Sequence, residues 1–331
     1  MKKTNLNIKM SGQYKLEVVD TQTGLLRYSL ENKNMIVDNA FTTILNTFDG
    51  RLRNSANNRL FNNGIVYAMV GANSDPTTET MTEFSSAPIA FVAASTNSAE
   101  SFNDSDDAET FYAQRFFKFS PGSFSDFSIV RELGLGLFPT QGQNYLFARV
   151  VLNNDISIMS TDELRITWRI NYIFPTNRVF SGTIVDGQSD NETDIEWKLF
   201  MSNNQVTNFL LSQLGNETTT QGMFSNSTSS PFILLGDSNT DSTLTTDNLI
   251  GTQVYSGLTI NELKNHTVAL SSRSIEIVFE HDAPSNVTIG EMIVRPSNFA
   301  SNLFRITFTP QLIKPEFFRL KLTYSLSLGR V

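Results

Sequence analysis

Glu132 and Glu291 stand at matching points of a sequence that repeats itself, and a pair of carboxylates is the minimum equipment for cleaving a glycosidic bond. Their placement argues against that chemistry, because each acid falls in its own copy of the repeat. Arg149 with Arg305, and Arg165 with Arg319, recur in the same way. They sit on the polar side of their strands, where pairing with a carboxylate across the sheet is the simplest role; Glu132 is expected to pair with Arg149 or Arg165. Asp237, Asn239 and Asp241 open like a calcium loop, but Ser242 replaces the required glycine and Asn248 the closing bidentate glutamate, so a loop of Asx turns is expected. Asp104, Asp106, Asp107 and Glu109 have the right ligand type and no glycine to fold them around an ion, which leaves a solvated acidic loop. The only histidines, His266 and His281, do not share a face, and His281 follows the apolar run at 275–279 as a turn residue would. Gly134-Leu135-Gly136 lacks the third glycine of a dinucleotide fingerprint and fits a strand or bulge. With no cysteine in the chain, thiol nucleophiles, disulfides and cysteine metal sites are excluded. No catalytic, cofactor-binding or metal-ligating residue is assigned, and an enzyme is not expected.

The repeat is read by subtraction. Phe41, Ile44, Leu45 and Gly50 fall on Val206, Phe209, Leu210 and Gly215, and Tyr67, Val70 and Gly71 on Phe232, Leu235 and Gly236, all 165 residues apart. Phe117 and Phe119 meet Ile277 and Phe279 at 160, and Val130-Arg131-Glu132 meets Ile289-Gly290-Glu291 at 159. Arg149, Val150 and Leu152 meet Arg305, Ile306 and Phe308 at 156, and Leu164-Arg165-Ile166 meets Phe318-Arg319-Leu320 at 154. The separation only ever shrinks, as it does when a second copy carries shorter loops. A period near 160 suits two domains in tandem rather than a solenoid.

The elements that would position these residues are mostly strands. Tyr14, Leu16 and Val18 alternate with polar residues, Asp20 to Gly24 supplies a turn, and Leu26, Tyr28 and Leu30 continue the pattern, so residues 14 to 30 read as a hairpin without counterpart in the second copy. Its edge is the candidate for pairing with a neighbouring subunit, and its removal is expected to leave the domains folded. Ile36, Ala40, Phe41, Ile44, Leu45 and Phe48 share a helical face that Asp38 can cap and Gly50 can end; a partner helix is expected at 205 to 214. In 164 to 172 Leu164, Ile166, Trp168, Ile170 and Tyr172 alternate with Arg165, Thr167, Arg169 and Asn171, and 318 to 328 repeats the period. The expectation is a mainly β chain: a first antiparallel β-sandwich at 1–175, a linker at 176–195 and a second sandwich at 196–331, each with one short helix. Residues 92–110 and 216–230 are expected as the longest loops.

Composition narrows the partners. Within 331 residues, 25 basic and 33 acidic side chains give a net charge of −8, and the only basic run is Lys2-Lys3. Nucleic acid and anionic membrane are therefore not expected as partners. No stretch of about 18 apolar residues occurs, and no apolar run follows Lys3, so neither a membrane span nor a signal peptide is read. The chain holds 26 Phe and 32 Asn, a balance of sheet core and polar turn.

Several segments carry a resemblance: Gly12-Gln13-Tyr14 opening the hairpin, Asn34 to Asn39 leading into the helix, Val130 to Leu135, Phe147 to Val150, and Asp162 to Trp168, with Ile289 to Met292, Leu303 to Ile306 and Phe317 to Leu320 in the second copy. In these the chain resembles virion proteins of tailed bacteriophages, of the tail, collar and baseplate region. The resemblance implies a multi-copy structural component of the virion, assembled in the host cytoplasm, whose partners are other copies of itself and neighbouring virion proteins. The alternative is a receptor- or glycan-binding module of a fibre, contacting a host surface receptor, with Phe102, Phe111, Tyr112 and Phe224 as its recognising aromatics.

Overall fold

The computed structural model describes residues 4–41, 66–94, 100–104, 107–139, 145–173, 179–185, 192–200, 232–240, 249, 251–258, 261–262, 272–279, 286–295, 304–315 and 320–331. The first strands are β1 (Thr4–Asp20), β2 (Leu26–Ile36), β3 (Tyr67–Gly71), β4 (Ala90–Ala93), β5 (Glu100–Asp104), β6 (Asp107–Phe119), β7 (Phe127–Gly136), β8 (Leu146–Met159) and β9 (Asp162–Ile173). After them come β10 (Val179–Val185), β11 (Glu192–Phe200), β12 (Phe232–Gly236), β13 (Gln253–Leu258), β14 (Asn261–Glu262), β15 (Ser272–Phe279), β16 (Val287–Arg295), β17 (Phe304–Lys314) and β18 (Leu320–Arg330).

The chain is mainly β, with a nearly closed, barrel-like antiparallel sheet, a second antiparallel sheet and one short helix. Where two separate leaves of a sandwich are expected in the first half, pairing runs on without a break: β6-β9-β1-β2-β8-β7-β3-β4, with β4 coming back toward β6. The length of β1 is the cause. It pairs with β2 through Gly12–Val19 and with β9 through Lys9–Asp20, so one strand joins elements that a sandwich would keep apart. The second sheet runs β10-β11-β17-β16-β12-β13.

The order of pairing occurs twice. β1·β2, β2·β8, β7·β8, β3·β7 and β3·β4 in the first half have the counterparts β10·β11, β11·β17, β16·β17, β12·β16 and β12·β13 in the second. β5·β6 and β6·β9 are matched by β14·β15 and β15·β18. The hairpin of the first half therefore does have a counterpart, β10–β11, in the stretch where the composition suggested a linker. Residues 176–195 gather Pro, Gly, Ser and Asp, yet carry β10 and the start of β11. Two contacts have no such match: β1·β9, for which no β10·β18 pairing occurs among the described residues, and Thr4–Met10 of β1, which lies parallel to Tyr324–Arg330 of β18. Arg330 fastens that junction, donating to Ile36 O at 2.5 Å and binding Asp38 and, at 3.1 Å, Glu79.

Periodicity located the core well. Tyr14, Leu16 and Val18 of β1 and Leu164, Ile166, Trp168, Ile170 and Tyr172 of β9 are all buried. The hairpin is thus an internal part of the barrel rather than an appendage, and its removal would take three core residues and a central strand with it. Ile195, Leu235, Met292, Ile306, Phe308 and Leu312 of the second sheet belong to the same hydrophobic cluster as the first. Helical residues begin at Asp38 and are described to Phe41; the rest of that helix, and its expected partner at 205 to 214, lie outside the described residues. The segment 92–110, expected as a loop, is largely the β5–β6 hairpin, while 216–230 lies outside the described residues. No helix among the described residues is long and apolar enough to cross a membrane.

Candidate functional site

The charged residues repeated in the sequence build two matching nodes. β3 and β7 are paired so that Gly71 lies opposite Glu132, and β12 and β16 so that Gly236 lies opposite Glu291. A β-carbon on Gly71 would stand 2.3 Å from Glu132 Oε1, and one on Gly236 2.5 Å from Glu291 Oε1, so each glutamate occupies the space that a side chain would need. The next strand supplies the counter-charge. Arg149 Nε on β8 donates to Glu132 Oε2 at 2.7 Å, and Arg305 Nε on β17 to Glu291 Oε2 at 2.6 Å.

Both nodes then hold the loop that leaves the glycine. Asn73 N–H donates to Glu132 Oε1 at 3.2 Å, and Arg149 Nη1 donates to Asp75 O at 2.8 Å and Thr77 Oγ1 at 3.0 Å. In the second node Gly251 N–H donates to Glu291 Oε1 at 2.7 Å and Arg305 Nη2 to Thr240 O at 3.1 Å. Even the turn inside the loop is repeated: Asp75 N–H binds Asn73 Oδ1, and Thr240 N–H binds Ser238 Oγ. Asp75 and Thr240 are again 165 residues apart.

These ion pairs are inside the protein, whereas Arg149 and Arg305 are expected from the sequence on the polar side of their strands. Glu132, Arg149 and Glu291 are 0% exposed. Burial pushes the Glu132 carboxyl above its ordinary range, while Arg149 and the Asn73 amide pull it back. Each acid is turned to its own arginine and its own loop, Glu132 in the first sheet and Glu291 in the second. In both nodes the charged groups hold the backbone of a loop.

Of the two partners expected for Glu132, Arg149 is the one found. Arg165 instead binds Glu163 at 2.6 Å, as does Lys118 at 2.5 Å, forming a ladder on the outer face of the barrel. Burial works against ionisation of Glu163, but Lys118 and Arg165 outweigh it and hold the carboxyl below its ordinary range. Asp237 is bonded within its own part of the fold. Its Oδ1 accepts Thr252 N–H at 2.6 Å and its carbonyl accepts Gln311, which ties two ends of a loop together. Asp241, Asp106, His266, His281, Arg319 and Phe224 lie outside the described residues. Asp104 and Asp107 face each other at the tip of the β5–β6 hairpin, which also carries Glu109. Among the described residues no group of three metal-ligating side chains is assembled. Gly134-Leu135-Gly136 is the end of β7, with a register shift at Leu135/Gly136, as read.

Of the aromatics singled out for recognition, Phe102, Phe111 and Tyr112 lie on the same hairpin. Phe102 pairs with Tyr112 and Asn103 with Phe111, while the Arg169 guanidinium lies 3.7 Å from the centre of the Tyr112 ring. A different trio had no signal in the sequence beyond its composition: Tyr67, Phe91 and Phe138 meet edge to face, with ring centres 5.0 to 6.0 Å apart. Phe91 is 44% and Phe138 48% exposed. Three segments distant in sequence create that patch, so only pairing of β3, β4 and β7 could reveal it.

No family model, curated protein or solved structure matches this chain.

Proposed function

We propose that this chain is a structural component of a tailed-bacteriophage virion, of the tail, neck, collar or baseplate region, present in several copies and built by duplication of one β unit into two in tandem. The observation that carries the reading is the doubled node: the same glycine, glutamate, arginine and loop turn recur, and in both places the charged groups are consumed in fixing backbone. A duplication that kept catalysis would keep groups facing a substrate; this one keeps groups facing inward. The two sheets differ, one barrel-like and nearly closed and the other a smaller antiparallel sheet, which suits a piece that bridges two neighbours. The test is an inventory of purified particles by quantitative mass spectrometry. Recovery of the chain at a fixed, symmetric copy number supports the reading, and its presence only in the unassembled lysate overturns it.

A second reading, a receptor- or glycan-binding module, draws on the exposed rings of Phe91 and Phe138 beside the half-buried Tyr67, since sugar rings stack on aromatic faces of this kind. Binding to a glycan array that is lost in the double variant Phe91→Ala, Phe138→Ala favours it. A silent array with the chain present in particles favours the first.

A further inference from the structure

β2 pairs with β1 along most of its length, but with β8 only through Met35 and Ile36. From Leu26 to Asn34 no described strand lies against its other edge, and Arg27, Ser29, Glu31, Asn32 and Lys33 are all exposed. Two hydrogen bonds fix which backbone groups face that edge. Val37 N–H donates across to Phe147 O on the β8 side at 2.9 Å. Lys33 N–H is taken at 2.8 Å by Oδ1 of its own neighbour Asn32, a local substitute for a missing strand. Backbone direction alternates along a strand, so Met35, Lys33, Glu31 and Ser29 turn their N–H and C=O groups away from β1. The counterpart strand indicates what fits there: β11 keeps its antiparallel partner β17 from Glu196 to Phe200.

We propose that a second copy of the chain supplies the missing strand, β2 pairing antiparallel with β2 of another molecule about a two-fold axis at Ser29. Only registers that set outward-facing residues against one another are open to such a pair. Centred on Leu30, the register would oppose Arg27 to Lys33; centred on Glu31, it would oppose that carboxylate to itself. Centred on Ser29, Arg27 of each copy faces Glu31 of the other and Tyr28 faces Leu30, every pair occurring twice, as an isologous interface requires. Arg27 is the extra residue at the register shift opposite Val18 and Val19, and its Nη1 binds Asp162 at 2.5 Å, so the register adds a positive charge beside Glu31 without requiring a direct bond. This inference deepens the reading of the chain as a multi-copy unit and narrows the edge-pairing expectation for residues 14 to 30 to one strand edge.

Sedimentation equilibrium of the full chain tests it, together with oxidative cross-linking, which the absence of native cysteine makes clean. The expected results are a monomer–dimer equilibrium weakened about tenfold by Glu31→Arg, and a disulfide-linked dimer from Ser29→Cys that forms about tenfold faster than from Ser157→Cys, an exposed serine on β8. All three substitutions are on exposed side chains, and circular dichroism checks that the variants fold. A chain that is monomeric at every concentration overturns the proposal. So does a dimer indifferent to Glu31→Arg in which Ser29→Cys links no faster than Ser157→Cys; that second outcome places the contact elsewhere and leaves the multi-copy reading standing.

Discussion

Burying Glu132 beside Arg149 takes two charges out of water, and the cost is offset by further bonds: Asn73 N–H on the acid, Asp75 O and Thr77 Oγ1 on the base, with Arg149 Nη2 left to its charge contact with Glu132 at 2.7 Å. Removing one partner strands the other. Glu132→Gln is therefore expected to destabilise the fold by about 3–5 kcal/mol in urea unfolding, whereas replacing both by apolar residues of similar volume is expected to cost less than either single change. Gly71→Ala should act through the same acid, since its methyl lies within 2.3 Å of Glu132 Oε1, with a loss of about 1–3 kcal/mol. Glu132 and Glu163 respond to pH with opposite signs. The Glu163 carboxyl is held below its ordinary 4.5, so its contribution is present above that value and is lost as pH falls through the lowered one. Glu132 is raised, so its contribution is complete below 4.5 and is lost as pH climbs through the raised value. Melting temperatures between about pH 3 and 7 should accordingly show less acid-side loss in Glu163→Gln than in the parent. Pairing of Glu132 with a repeated arginine was legible because both recur at related spacings. That the pair is buried was not, because the alternation of β7 and β8 does not register the loop at residues 72–84 that covers it.

Among the elements, strands with one apolar face were readable and those without one were not. β9 announces itself through Leu164 to Tyr172, and all five apolar residues are buried. β5 and the start of β6 are rich in Ser, Asn, Asp and Glu, and their strand character comes from pairing with each other and with β9. β10 and β11 were hidden in the same way, behind the turn-forming residues of 176–195. β1 was found but undervalued: its alternation gives the buried face and says nothing about how many strands meet its two edges. It meets β2, β9 and β18. Deleting residues 4–20 should therefore abolish cooperative unfolding, checked by near-ultraviolet circular dichroism around Trp168, which is buried 6.1 Å from Tyr14.

For the molecule as a whole, the repeat in sequence reappears as a repeat in pairing, but the halves are not insulated from one another. Buried side chains of both sheets lie in one cluster, and β1 runs from the first barrel to the last strand of the chain. Calorimetry should show one unfolding transition, and a fragment ending at residue 175 should melt well below the intact chain, having lost the β18 contact to Thr4–Met10. Two separate transitions would mark the halves as independent bodies. The sequence could show that there were two units; it could not show that they share a core, since contacts between units leave no period.

The filled space beside Gly71 and Gly236 also bears on descent. A methyl group at either glycine is excluded by the acid, the acid is held by the arginine, and the arginine is held by the loop that the glycine begins, so no member of the circuit can drift alone. Diverged kin should therefore change these three positions in concert, or not at all, and a search keyed to that three-way covariation would find them after the surrounding apolar pattern has blurred.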